Sequence, residues 1–131
     1  MSIAVRYYSR SGNTRALAEA IAKAAGVSAV SVDSAEAKLQ EPADVLFIGG
    51  ALYAYGLDKH LKQYLKTLKK GDAKRAVVFS TSWVSKHSLD LIKKGLTAAG
   101  IPVEEETFYV KSKPNADQLK QAEAFAKRYI G

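Results

Sequence analysis

The chain has no cysteine among its 131 residues, two histidines, and a single tryptophan and methionine. Without a thiol there is no disulfide, no thiolate nucleophile, no Cys-ligated zinc and no iron–sulfur cluster. His60 and His87 carry no ligand spacing around them, so no metal site is expected. Any redox chemistry must then come from a borrowed cofactor. No apolar run approaches the roughly 20 residues of a membrane span. Met1-Ser2-Ile3 leads directly into a strand pattern instead of a basic leader, so a cytoplasmic location is expected. Acidic residues are also scarce: 13 Asp and Glu against 20 Lys and Arg leave a formal charge of +7. Such a surplus admits a nucleic acid, an anionic membrane or an acidic protein as partner. Lys59, Lys62, Lys66, Lys69 and Lys70, however, share a helical pattern whose apolar face is Leu57, Leu61, Leu65 and Leu68, which reads as a solvated polar side. No nucleic-acid reader motif accompanies them, and nucleic-acid binding is not expected.

With 47% hydrophobic and 25% charged residues, the composition is that of an ordinary globular protein, and the length suits one domain over residues 1–131. No linker, repeat or low-complexity segment interrupts it. Five strand-like runs recur: Ile3–Tyr8, Val27–Val32, Asp44–Gly49, Arg75–Ser80 and Pro102–Val110. Helical faces at three-to-four-residue spacing lie between them: Leu17, Ile21 and Ala24; Leu57 to Leu68; Leu89, Ile92, Leu96 and Ala99; then Leu119, Ala122, Phe125 and Tyr129. Ala35 to Leu39 suits only a short turn of helix. This βα repetition predicts an α/β three-layer sandwich, a parallel sheet with helices on both faces. Val45-Leu46-Phe47-Ile48 and Ala76-Val77-Val78-Phe79 are continuously apolar, as central strands are. The second run alternates and the last carries Glu104, Glu105 and Glu106, as edges do. The expected order is 2-1-3-4-5. Arg6, inside the first run, is expected to pack its stem and send its head to solvent or a carboxylate.

The densest signal is Ser9-Arg10-Ser11-Gly12-Asn13-Thr14, at the junction of the first strand and a helix starting near Asn13. Backbone N–H groups at a helix start lack intrahelical partners and sit at the positive end of the helix dipole, which suits an anion. Gly12 removes a Cβ that would hold an oxyanion away, while the hydroxyls of Ser9, Ser11 and Thr14 and the Asn13 amide add donors. The run is neither Gly-x-Gly-x-x-Gly nor a Walker loop. It also fits plain helix N-capping. It resembles the FMN-phosphate loop of flavodoxins, (Ser/Thr)-x-Thr-Gly-Asn-Thr, with Ser11 in place of the usual Thr. Flavodoxins are themselves an example of the 2-1-3-4-5 order, with FMN at the β1/β3 switch point, so that agreement is not independent of the resemblance. The chain is short for the family, with no insertion dividing the last strand.

Ligands of open α/β sheets bind beyond the carboxyl ends of the strands. The loops there are Gly50-Ala51-Leu52-Tyr53-Ala54-Tyr55-Gly56 and Thr81-Ser82-Trp83-Val84-Ser85, and they offer the aromatic faces and backbone polar groups that a flat ring with polar edges needs. The resemblance implies that both flank an FMN ring, with Tyr53 or Tyr55 on one side and Trp83 on the other. It also implies that Gly56 supplies the peptide that turns toward the flavin N5. The aromatics equally suit packing of a long loop on its neighbouring helix. Unlike typical flavodoxins the chain is basic, and Arg10 and Arg15 flank the phosphate loop. Close positive charge favours the anionic reduced flavin by roughly 1 kcal/mol or more per charge, or it strengthens the hold on the phosphate. Three functions follow: an FMN electron carrier working between a reductase and an acceptor protein, possible acidic partners among them; an FMN oxidoreductase acting on a quinone or tetrapyrrole precursor, with Tyr55, Lys86 or His87 lining its pocket; or a flavin-free interaction module. The first needs no catalytic residue of the protein's own. Its oligomeric state is not legible in the sequence.

Overall fold

The structure, a computed structural model, describes residues 1–53, 56–82 and 86–130. Five parallel strands form one sheet: β1 (Ile3–Tyr7), β2 (Ala29–Ser31), β3 (Val45–Gly50), β6 (Ala76–Thr81) and β7 (Val103–Val110). Between β3 and β6 the chain adds a two-stranded antiparallel hairpin, β4 (Leu52–Tyr53) and β5 (Gly56–Leu57). The sheet order is β2-β1-β3-β6-β7. Counting the five long strands alone, this is the expected 2-1-3-4-5, and both strands read as edges are edges.

Alternation along the strands sorts the core into two layers. Val5, Phe47 and Val77 stand side by side across β1, β3 and β6 and meet Leu17 and Ile21 of α1 (Asn13–Ala25) and Phe125 of α4 (Ala116–Lys127). Leu46, Ile48 and Val78 face the other way, onto Leu61 and Leu65 of α2 (Lys59–Thr67) and Leu89, Ile92 and Leu96 of α3 (His87–Ala98). The helices therefore lie two on each face. Gly49 leaves room for the ring of Phe79, its partner on the neighbouring strand β6, which a Cβ there would overlap.

Three expectations change. Leu57, read as part of the second helix, lies in β5, because Asp58 caps α2 by accepting the His60 backbone N–H and so fixes the start at Lys59, two residues later. The hairpin itself has strands of two residues, below any periodicity that a sequence can display. Arg6 sends its head neither to solvent nor to a carboxylate. It is 9% exposed, and its guanidinium donates to the carbonyl oxygens of Ala37 and Val5. Tyr64 donates to the same Ala37 oxygen. Together they fasten the short 3-10 turn Ala35–Ala37 over the sheet, at the place expected to hold only a turn of helix.

Candidate functional site

The residue setting the geometry of the first corner is Gly12. It is the N-cap of α1 at φ 93°, a backbone conformation that L side chains rarely adopt, and it contributes no capping side chain. The loop caps itself instead. Ser9 Oγ accepts from the Gly12 N–H at 3.0 Å, and Ser11 Oγ accepts weakly from the Asn13 N–H at 3.4 Å. Both hydroxyls retain a hydrogen to donate. The Ala16 N–H bonds back to the Gly12 carbonyl, whereas the N–H groups of Thr14 and Arg15 have no partner among the described residues. They are the unpaired donors that a helix start leaves over. The Thr14 side chain is elsewhere. Its hydroxyl is buried against that of Thr81 at 2.6 Å, tying the first corner to the end of β6.

A crevice of about 170 Å³ opens at this end of the sheet, lined by Ser11, Asn13, Ala51, Leu52, Tyr53, Thr81, Ser82, Lys111 and Ser112. Seven of the residues singled out in the sequence thus line one space. Ser9, Gly12 and Thr14 shape its first corner without lining it, and Gly56 pairs with Tyr53 across the hairpin. Ala54, Tyr55 and Trp83 lie outside the described residues. Ser82 Oγ, buried at the crevice, has no hydrogen-bond partner among the described residues, an omission that costs free energy unless a ligand or water supplies one. Cavities of about 500 and 440 Å³ lie elsewhere on the surface. Size alone therefore does not single out this crevice. The crevice is smaller than the roughly 300–1,000 Å³ of a small-molecule site, so a ligand of usual size extends beyond it.

The structure also shows a network that the sequence reading missed. Asp58, 3% exposed, accepts from Arg10 Nε at 3.0 Å and Nη2 at 2.6 Å, and from both the backbone N–H and the ring Nδ1 of His60 at 2.8 Å. Burial pushes the Asp58 carboxyl up, but these hydrogen bonds and the nearby positive charge outweigh it and hold the group below the usual carboxylate range. The hydrogen bond to Asp58 likewise raises the Arg10 guanidinium above its ordinary value. Arg10 lies 4.0 Å over the Tyr53 ring, and its backbone N–H donates to the Tyr53 hydroxyl. Tyr8 stacks on His60 with ring centroids 4.8 Å apart. The phosphate-type loop is thereby clamped to the hairpin wall of the crevice. Arg15 is paired too, with Glu19 at 2.7 Å. Both arginines expected as open positive charge beside the loop are therefore paired with carboxylates.

Lys111 and Ser112, also missed, follow β7. The carboxyl-end rule that selected the loops after β1, β3 and β6 places them there as well, but it was not applied to an edge strand. The Asp58 contact had a weaker signal, an Asp directly before a helical pattern.

A family model described as flavodoxin domain matches residues 4–126. No curated protein matches the sequence. Among solved structures, a flavodoxin from the domain Archaea superposes with a TM-score of 0.86 at 20% identity, covering 99% of this chain and 96% of that one. Oxidised flavodoxin 1 from Bacillus cereus gives 0.82 at 19% identity, covering 99% and 97%. The rubredoxin oxygen:oxidoreductase of Desulfovibrio gigas gives 0.81 at 17% identity over 98% of this chain but 34% of that one. At these identities the superpositions speak for the fold. The family implies a flavin, and the crevice fits one in its donor set: free helix-start N–H groups for an anionic end, and an unsatisfied buried hydroxyl beside a half-buried tyrosine for a flat polar ring. By the match over residues 4–126, the chain belongs to the flavodoxin-domain family.

Proposed function

We propose that the protein binds FMN non-covalently in this crevice and serves as an electron carrier between redox proteins. The observation that carries the reading is the set of unpaired donors: the N–H groups of Thr14 and Arg15 at the start of α1 and the buried Ser82 hydroxyl, at a crevice where three loops meet. Ser9, Ser11, Gly12 and Asn13 take the phosphate, with Ser9 and Ser11 each able to donate a hydroxyl hydrogen while accepting from the loop. Ala51, Leu52, Tyr53 and Gly56 from the hairpin side, and Thr81 and Ser82 from the end of β6, wall the ring; Ala54, Tyr55 and Trp83 belong to the same proposal. Arg10 does its part at a distance from the phosphate, holding Tyr53 and Asp58 so that the wall keeps its place. Bound FMN supplies one- and two-electron transfer, and no side chain needs to act as nucleophile or base. No helix among the described residues is long and apolar enough to cross a membrane, which is consistent with partners met in solution.

The test is a fluorescence-quenching titration with FMN and riboflavin side by side. FMN binds more tightly by at least tenfold, and Asn13→Ala together with Ser11→Ala narrows the gap, each lost donor to a charged group being worth about 1.5–3 kcal/mol. Equal affinity for the two flavins, or binding of neither, overturns the proposal.

A further inference from the structure

On the α2/α3 face the two helices leave a groove of about 440 Å³ between them. Leu57, Leu65 and Leu91 make its floor, and Lys62, Lys66 and Lys94 stand along its edges. Gly95 keeps it open, since a Cβ there would already stand 3.0 Å from Leu65 Cδ1 and a larger side chain would fill the trough.

The lysines at this groove, like most lysines of the chain, have no ion-pair partner among the described residues, whereas four arginines do. Arg10, Arg15, Arg75 and Arg128 each have a carboxylate partner. Lys59, Lys62, Lys66 and Lys94 have none among the described residues, and all four are exposed. Helix α2 contains no acidic residue, although like charges three and four residues apart weaken a helix. The floor is apolar, so the surface offers burial together with exposed positive charge.

From these observations we infer that the α2/α3 groove docks an acidic amphipathic helix of a partner protein. Apolar side chains at successive turns enter the trough, while Glu or Asp on the flanks meet Lys62 and Lys66 on one side and Lys94 on the other, the helix-in-groove mode of recognition. Lys59 to Lys66 spans seven residues, about 10 Å or two turns of helix, enough to read two successive acidic flanks. A second copy of this chain does not fit, because at +7 it brings like charge to the same surface. A flat bilayer does not reach the floor of a trough bounded by two helices.

The groove also has a connection to the crevice. Leu57 of its floor pairs with Leu52 across the β4–β5 hairpin, and Leu52 lines the crevice. A helix seated on α2 and α3 therefore rests against the other strand of the element that walls the candidate cofactor site. The docking surface stands on its own geometry and does not require bound flavin.

The experiment is an NMR titration of ¹⁵N-labelled protein, run both with FMN present and without it. The probe is a capped synthetic helical peptide of Leu at helical spacing on one face and Glu on the other, compared with its Glu-to-Lys counterpart. Amide shifts of Leu57, Leu65, Leu91, Gly95 and Ala98 should move on addition of the Leu/Glu peptide alone, with an affinity that falls about tenfold or more from low to high salt. The triple variant Lys62→Glu, Lys66→Glu, Lys94→Glu should lose at least tenfold, and the corresponding Lys→Gln triple should lie between. These lysines are exposed, so circular dichroism of both triples should match the parent. The inference is overturned if the triple variants bind the Leu/Glu peptide as tightly as the parent, if the shifts map to α1 and α4, or if no shift occurs at millimolar peptide. Capture by phosphatidylglycerol vesicles in place of the peptide overturns it in favour of a membrane surface. Flavin quenching read on the same samples keeps its failure distinct from that of the FMN proposal.

Discussion

Replacing Gly12 by Ala separates what the first corner needs for folding from what it needs for a ligand. Gly12 sits at φ 93°, ψ −5°, and a Cβ built there meets nothing within 4 Å. The cost to the protein alone is therefore conformational: holding an L residue at positive φ takes about 1–2 kcal/mol, of which about 0.4–1 kcal/mol is regained because Ala restricts the unfolded chain. A net loss of about 1 kcal/mol follows, or about 3–5 °C in Tm for a chain of this size. Gly26 closes the other end of the same helix at φ 71°, again with nothing within 4 Å of its Cβ, so Gly26→Ala should lose a similar amount. The two variants then part company in the FMN titration. Gly26→Ala leaves the affinity unchanged, and Gly12→Ala weakens it at least tenfold, because its Cβ projects from the loop proposed to hold the phosphate. Urea denaturation measures the first pair of numbers and fluorescence quenching the second. An undiminished affinity in Gly12→Ala refutes the placement of the phosphate, and a loss above about 3 kcal/mol refutes the open geometry of the loop, since it signals a collision instead of a dihedral cost.

Thr81→Val strands the buried Thr14 hydroxyl and should cost about 1–3 kcal/mol, while Thr14→Val with Thr81→Val recovers part of it; a double-mutant cycle in urea reads the coupling. Gly49→Ala drives a Cβ into Phe79 and should cost about 1–3 kcal/mol or more, with no rescue by Phe79→Leu because the Phe79 carbonyl oxygen is also in the way. Asp58 is held below the usual carboxylate range, so the stability it contributes is full above its unfolded pKa of about 4 and is lost as pH falls through the lower folded value. Asp58→Asn should therefore flatten the acid limb of the stability profile, and an unchanged limb shows that other carboxylates carry it.

Much of the architecture was legible because it depends on neighbours in sequence. Continuous apolar runs placed β3 and β6 inside and the alternating or glutamate-bearing runs at the edges, since only burial on both faces demands apolar residues at every position. The glutamates of β7 turned out to have work at that edge: Glu104 pairs with Arg75, and Glu106 with Arg128 and the Tyr129 hydroxyl. The corner from β1 through Gly12 into α1 was equally legible, because strand, glycine and helix start are adjacent. What escaped was whatever rests on contacts distant along the chain. Arg6 was expected to pack its stem and send its head to solvent or a carboxylate, and its partners are backbone carbonyls, one of them 31 residues away, groups every residue possesses and no sequence advertises.

The Arg10–Asp58 pair makes the same point with a consequence for function. Read from sequence, Arg10 is a positive charge beside a phosphate loop. In the fold, a carboxylate 48 residues on takes both its Nε and Nη2, and the Tyr53 ring covers its face. A charge that is more than half exposed but bonded on one edge and stacked on one face is no longer available as a simple attraction for an anion. Its contribution passes to position: it fixes the hairpin against the first corner. Stacking and two hydrogen bonds make this a task for arginine's planar fork, which a lysine does not reproduce. Part of the positive surplus that the composition announces stands exposed along α2 and α3, where Lys62, Lys66 and Lys94 line an apolar trough. On the two proposals, the lysines of α2 and α3 serve the surface that meets a partner, while the crevice relies on backbone donors and hydroxyls together with Lys111.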